Sequence, residues 1–127
     1  MRSLTLMALS LALLGHVGLA MADEVVSKGT FSGASNHTTE GAVSVLKGDG
    51  GAQVVLGEDF SLDGAPDPKL GFGNDGNYDT ASQFSVLNAN TGEQTYELPA
   101  DIDPTKYNEI YVWCETYAVP LGVAKLR

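Results

Sequence analysis

Beyond residue 22, short apolar segments rich in β-branched and aromatic residues alternate with Gly, Asp, Asn and Pro, and no stretch holds a helical period for long. This pattern predicts strands over Ser27–Ser32, Gly41–Lys47, Ala52–Gly57, Lys69–Gly73, Gln83–Leu87, Gln94–Leu98, Asn108–Thr116 and Ala118–Leu126. Gly48-Asp49-Gly50-Gly51 reads as a tight hairpin between the second and third, because Gly and Asp tolerate the positive φ such turns need. Asn88-Ala89-Asn90-Thr91-Gly92 reads as a similar connection between the fifth and sixth. Asp101–Lys106 is expected to form a helical turn or loop, with Pro104 in its first turn. Alternation is clearest near the C-terminus. Ile110, Val112 and Cys114 share one face, Tyr111, Trp113 and Glu115 the other, and the last strand groups Val119, Leu121 and Val123. The expected fold is all-β, a single-domain β-sandwich or small barrel of about eight short antiparallel strands.

The first 22 residues break this pattern. Arg2, an apolar stretch from Leu4 to Leu14 and Ala20-Met21-Ala22 read as a secretory signal cleaved near Ala22. The apolar stretch is about 11 residues, well short of the ~20 that a membrane-spanning helix needs. The expected products are a cleaved signal peptide, 1–22, and a secreted or periplasmic β domain, 23–127, with no membrane span. Removing residues 1–22 leaves 105 residues, no Met, one His and one Cys, and moves the net charge from −9 to −10. An acidic surface of that size repels nucleic acid and anionic lipid. A single Cys excludes an internal disulfide, a Cys-based zinc site and an iron–sulfur cluster held within one chain.

Acid concentrates between Gly57 and Asp79. Asp63, Asp67, Asp75 and Asp79, with Asp59, form a weak calcium hypothesis, since hard cations take carboxylate and carbonyl oxygens. The helix–loop–helix calcium loop fits poorly: counted from Asp75, its sixth position is Thr80 rather than Gly and its twelfth Val86 rather than Glu. The competing reading is that Asp, Asn, Gly and Pro simply form solvated turns. Paired acids for glycoside hydrolysis find little room in 105 residues. Gly33-Ala34-Ser35-Asn36-His37 lacks the strained elbow, orienting acid and oxyanion hole of a serine hydrolase. Asn36-His37-Thr38 is formally a glycosylation sequon.

Cys114, in Tyr111-Val112-Trp113-Cys114-Glu115, is the remaining candidate, because exported proteins favour paired cysteines. It reads either as a small buried hydrophobe beside Ile110 and Val112 or as a functional thiol, a ligand or half of an intermolecular disulfide. Covalent c-type haem needs Cys-x-x-Cys-His, and blue copper needs two His; neither set is present. Haem ligated by Cys114, by His37 or by both stays open.

The chain resembles the DM13 domain family from about Lys28 to Arg127. The resemblance rests on Gly29-Thr-Phe-Ser-Gly33, His37-Thr-Thr-Glu-Gly41, Asp59-Phe60, Asp63-Gly-Ala-Pro-Asp-Pro68 and Gln94-x-Tyr96. It continues through Tyr107-x3-Tyr111-Val-Trp-Cys114 and Val119-Pro-Leu-Gly122-x-Ala124-x-Leu126. It implies a β-rich extracellular or periplasmic electron-transfer domain, in which a signature Cys acts as a bare thiol or as a ligand to a prosthetic group such as haem. Cys114 stands at that position and His37 at the His of the first blocks. A thiolate forms readily only near positive charge, and the neighbours of Cys114 are Trp113 and Glu115, so a bound cofactor eases the chemistry.

The leading expectation is therefore an exported redox domain centred on Cys114, with His37 and Trp113 beside it and an unidentified redox or extracellular protein as partner. It is expected to act without catalysing a reaction of its own, as a monomer or dimer. The alternatives are a non-catalytic binding or matrix module, calcium-stabilised and with Cys114 as core packing, and a partner protein linked through a Cys114 disulfide.

Overall fold

The computed structural model describes residues 23–127, and the signal-peptide reading of residues 1–22 lies outside them. The strands are β1 (Glu24–Gly33), β2 (Thr39–Glu40), β3 (Ala42–Gly48), β4 (Gly51–Leu56), β5 (Ser61–Leu62), β6 (Pro68–Asn74), β7 (Asn77–Tyr78), β8 (Ser85–Val86), β9 (Gln94–Glu97), β10 (Glu109–Cys114) and β11 (Val119–Lys125). All eight expected strands are present. The three extra ones, β2, β5 and β7, are two residues each, too short to show a period.

One antiparallel sheet runs β7-β6-β10-β11-β1-β3-β4-β9, with β8 also on β6, and β2 and β5 form a separate ribbon. The sheet curls into a half-barrel around its core. β1 makes the curl. Its first part, from Glu24 to Thr30, pairs with β3, and Phe31–Gly33 pairs with β11, so one strand joins both halves. The core takes Val43, Val45, Val54, Leu56 and Tyr96 from one half and Leu70, Phe72, Ile110, Val112, Cys114 and Ala124 from the other. Each fully buried aliphatic or aromatic side chain contributes roughly 1.5–3 kcal/mol relative to exposure, so this cluster is the main stabilising term.

Two expectations need correcting. The Asn88–Gly92 loop is not a hairpin, because β8 pairs with β6 and β9 with β4; the loop crosses from one edge of the curled sheet to the other. Its backbone is held by side chains of β9: Asn88 N–H donates to Tyr96 Oη (2.9 Å) and Ala89 N–H to Gln94 Oε1 (3.2 Å). In β11, a register shift opposite Val112/Trp113 inserts one residue, so Leu121 and Ala124 face the core while Val123 turns outward opposite Tyr111. Elsewhere the local readings stand. Gly48 pairs with Gly51 across a two-residue turn, and Pro104 opens a 3-10 turn whose Asp103 carboxylate caps Thr105 N–H. Among the described residues, no helix is long and apolar enough to cross a membrane.

Candidate functional site

Cys114 is the last residue of β10, a strand flanked by β6 and β11, with Pro68 and Val119 as its cross-strand neighbours. That position puts the sulfur in the core: the residue is 1% exposed. Its Sγ–H donates to the carbonyl oxygen of Pro66 at 3.3 Å.

Pro66 belongs to a strap, residues 63–67, that leaves β5 and enters β6. Fastenings at both ends explain its course. At the far end, Asp63 accepts hydrogen bonds from His37 Nδ1–H (2.9 Å) and from the Thr38 backbone N–H (3.0 Å), while its own N–H donates to Thr38 O (3.1 Å). His37 is placed by the turn before it, where Ser35 and Asn36 both have positive φ and His37 N–H donates to Ala34 O at 2.9 Å. The Thr38 N–H, and next the His37 ring, hold the Asp63 carboxyl below its ordinary value of 3.8. The ring meets that carboxylate through Nδ1, which fixes its orientation. A ligating His is oriented in the same way.

At the near end, Asp67 takes φ +54 and its carbonyl accepts from Glu115 N–H at 3.2 Å. Lys69 then bridges the carboxylates of Asp67 (3.2 Å) and Glu115. This pairing raises the Lys69 ammonium pKa, chiefly through Glu115, and lowers that of Glu115, chiefly through Lys69. The strap thus connects Cys114 with His37: one end receives the ring proton of His37 and the other the thiol proton of Cys114.

Trp113 sits apart. It lies on the outer face of β10, stacked on Tyr78 with ring centroids 4.2 Å apart and planes at 10°, and meets Tyr111 edge-on at 6.4 Å. Tyr111 Oη donates to Glu109 Oε1 at 2.8 Å, and the same oxygen accepts from Gly76 N–H. Burial pushes the phenols of Tyr78 and Tyr111 well above their usual range.

The four calcium candidates have separate partners. Asp63 serves His37 and Thr38, Asp67 serves Lys69, and Asp75 accepts from Asn108 Nδ2 at 2.9 Å. Asp79 caps Ala81 N–H (2.9 Å) and accepts from Tyr107 Oη (2.7 Å). Among the described residues, no group of three or more His, Cys, Asp or Glu side chains is arranged to hold a metal. Sequence reasoning missed Pro66, Thr38 and Lys69 as members of the site. Pro66 and Lys69 lie in and beside the Asp63–Pro68 block, a signal that was present, whereas Thr38 acts through its backbone and leaves no trace in composition.

These features define a class: an all-β domain that buries one hydrogen-bonded thiol beneath a fastened strap. The family model described as electron transfer DM13 matches residues 30–126, and the chain belongs to the DM13 family. That membership gives it a general role in electron transfer. No curated protein and no solved structure matches the chain.

Proposed function

We propose that this DM13 domain is exported and carries electrons through Cys114 as a thiol, exposed to a redox protein partner when the residue 63–67 strap lifts. Export rests on the signal-like residues 1–22. The observation that carries the reading is the Sγ–H···O=C bond from Cys114 to Pro66, because it ties the only thiol to a segment that His37 and Thr38 fasten at its other end. Oxidation passes two electrons from the sulfur to the partner while water adds its oxygen to the sulfur and two protons leave to solvent, giving a sulfenic acid. Two electrons and two protons reduce it, release water and restore the thiol and its bond to Pro66.

Haem is the other role for a signature Cys. As the strap lies, Cys114 does not fit it: the residue is 1% exposed, shares the core cluster with Ile110 and Val112, and has its thiol proton committed to Pro66. His37 Nε2 would be the more accessible ligand.

The test is treatment of the purified protein with ferricyanide, counting free thiol by mass spectrometry and recording the absorption spectrum throughout. The expected result is loss of one thiol, its recovery with dithiothreitol, and neither change in Cys114→Ser; non-reducing electrophoresis separates out a Cys114–Cys114 dimer. A thiol inert to oxidant and to thiol reagents until the protein unfolds overturns the proposal. A Soret band in haem-supplied protein, shifted by Cys114→Ser or His37→Ala, replaces the bare thiol with a ligand.

A further inference from the structure

Three of the chain's seven Lys and Arg residues gather on the outer face of two adjacent strands. Lys28, Thr30 and Ser32 of β1 and Val123, Lys125 and Arg127 at the end of β11 line an open groove of about 450 Å³. Alternate residues of a strand share a face, so each strand contributes one row. Lys28 and Arg127 stand directly opposite: Lys28 N–H donates to Arg127 O and Arg127 N–H to Lys28 O, each at 3.0 Å.

Like charges directly opposite destabilise a sheet, and a chain with 16 acids has ample means to avoid the pairing. Edge protection, the usual role of lysine on strands, does not account for it. β1 is paired on both sides, with β3 and β11, and β11 lies between β1 and β10. Among the described residues, Lys28, Lys125 and Arg127 take part in no ion pair. Glu109 is opposite Lys125 and forms no ion pair with it, its Oε1 accepting from Tyr111 Oη and Gly76 N–H. Asp75, beyond it, is held by Asn108.

We propose that this groove binds a small polyanion carrying two or more carboxylate or phosphate groups, with Lys28, Lys125 and Arg127 as its cationic contacts and Thr30 and Ser32 as hydroxyl donors. A small ligand follows from the charge distribution. The protein's net negative charge repels an extended anionic polymer or surface, whereas a compact anion in the groove lies within about one Debye length, ~8 Å, of the three cations. This site is independent of the thiol chemistry.

The experiment is calorimetric titration of the purified protein with citrate and with inorganic pyrophosphate, in about 0.02 M and 0.15 M sodium chloride. Saturable one-to-one binding of either supports the site, weaker at the higher salt, and the preferred probe distinguishes carboxylate from phosphate. Lys28→Gln/Arg127→Gln and Lys125→Gln should each raise Kd at least about tenfold. Lys106→Gln, away from the groove, should leave it within about twofold, and Cys114→Ser should bind as wild type. A cooperative thermal melt of each groove variant shows that it folds, so a raised Kd reports the lost cation. Absence of saturable binding, or equal weakening by Lys106→Gln, overturns the proposal.

Discussion

Gly71 and Gly73 of β6 carry no side chain where two tyrosines and a neighbouring strand need the space. A Cβ on Gly71 would lie 2.4 Å from the Tyr78 hydroxyl, the movable end of a side chain. One on Gly73 would lie 2.2 Å from the Asn77 carbonyl oxygen, which belongs to the paired backbone of β7. The two substitutions should therefore differ in kind. Gly73→Ala forces backbone apart and should cost about 1–3 kcal/mol in urea unfolding. Gly71→Ala should cost less, but should tilt Tyr78 off the indole it covers at 4.2 Å. Trp113 is the only tryptophan, so its emission reports that movement directly: a shift in Gly71→Ala without a large loss of stability is the expected result. An unchanged spectrum would mean that the stack accommodates the methyl. At this scale the sequence revealed Cys114 and His37 but not what touches them. A lone Cys, and the one His beyond residue 22, stand out by count, whereas Tyr78 comes from a two-residue strand within an acid-rich turn and reads as surface.

The strap is an element without secondary structure of its own, which is why alternation is silent about it. What defines it is a set of fastenings, and Asp63 holds the far one through two donors. The Thr38 N–H is the larger cause of its lowered pKa and the His37 ring the second, so Asp63→Asn should loosen the strap more than His37→Ala does. Labelling of Cys114 by a small thiol reagent in native protein at neutral pH measures the open fraction. Asp63→Asn should speed it by up to about fivefold, the ceiling for an exposed ion pair, with His37→Ala between it and wild type. The pH dependence has a fixed sign. Asp63 has a depressed folded-state pKa, so its contribution is present above the ordinary value of 3.8 and is lost as pH falls through the lowered one. The gap in melting temperature between wild type and Asp63→Asn should close on acidification over that window. Labelling rates identical in all three proteins would show that Cys114 is reached by another route.

For the molecule as a whole, the individual strands were legible because antiparallel strands covered on one face alternate, but their order was not. Neighbours in sequence are often not neighbours in the sheet. β1 pairs with β11 from the far end of the chain, and Asn88–Gly92 spans two edges with the same turn-forming residues that a hairpin would use. A curled sheet of this kind also packs its acid around one small core. The 16 Asp and Glu face only 7 Lys and Arg, three of which stand together in the β1–β11 groove, and the described residues hold just three ion pairs. Salt acts on two opposing terms. It weakens the surface pairs His37–Asp63, Lys69–Asp67 and Lys69–Glu115, which are exposed and so contribute little each. It also screens self-repulsion among the surplus carboxylates, which folding brings closer together. The Debye length falls from about 30 Å at 0.01 M to about 8 Å at 0.15 M, so the repulsion summed across the whole surface is cut far more than contacts within 4 Å. Repulsion is therefore the larger loss, and sodium chloride should raise the melting temperature over this range, by roughly 4–8 °C for each kcal/mol relieved. The measurement needs chloride rather than phosphate or citrate, because a rise with those ions could come from occupation of the groove. A melting temperature that falls with sodium chloride would show instead that the Lys69 and His37 pairs fastening the strap outweigh the repulsion of the entire acidic surface.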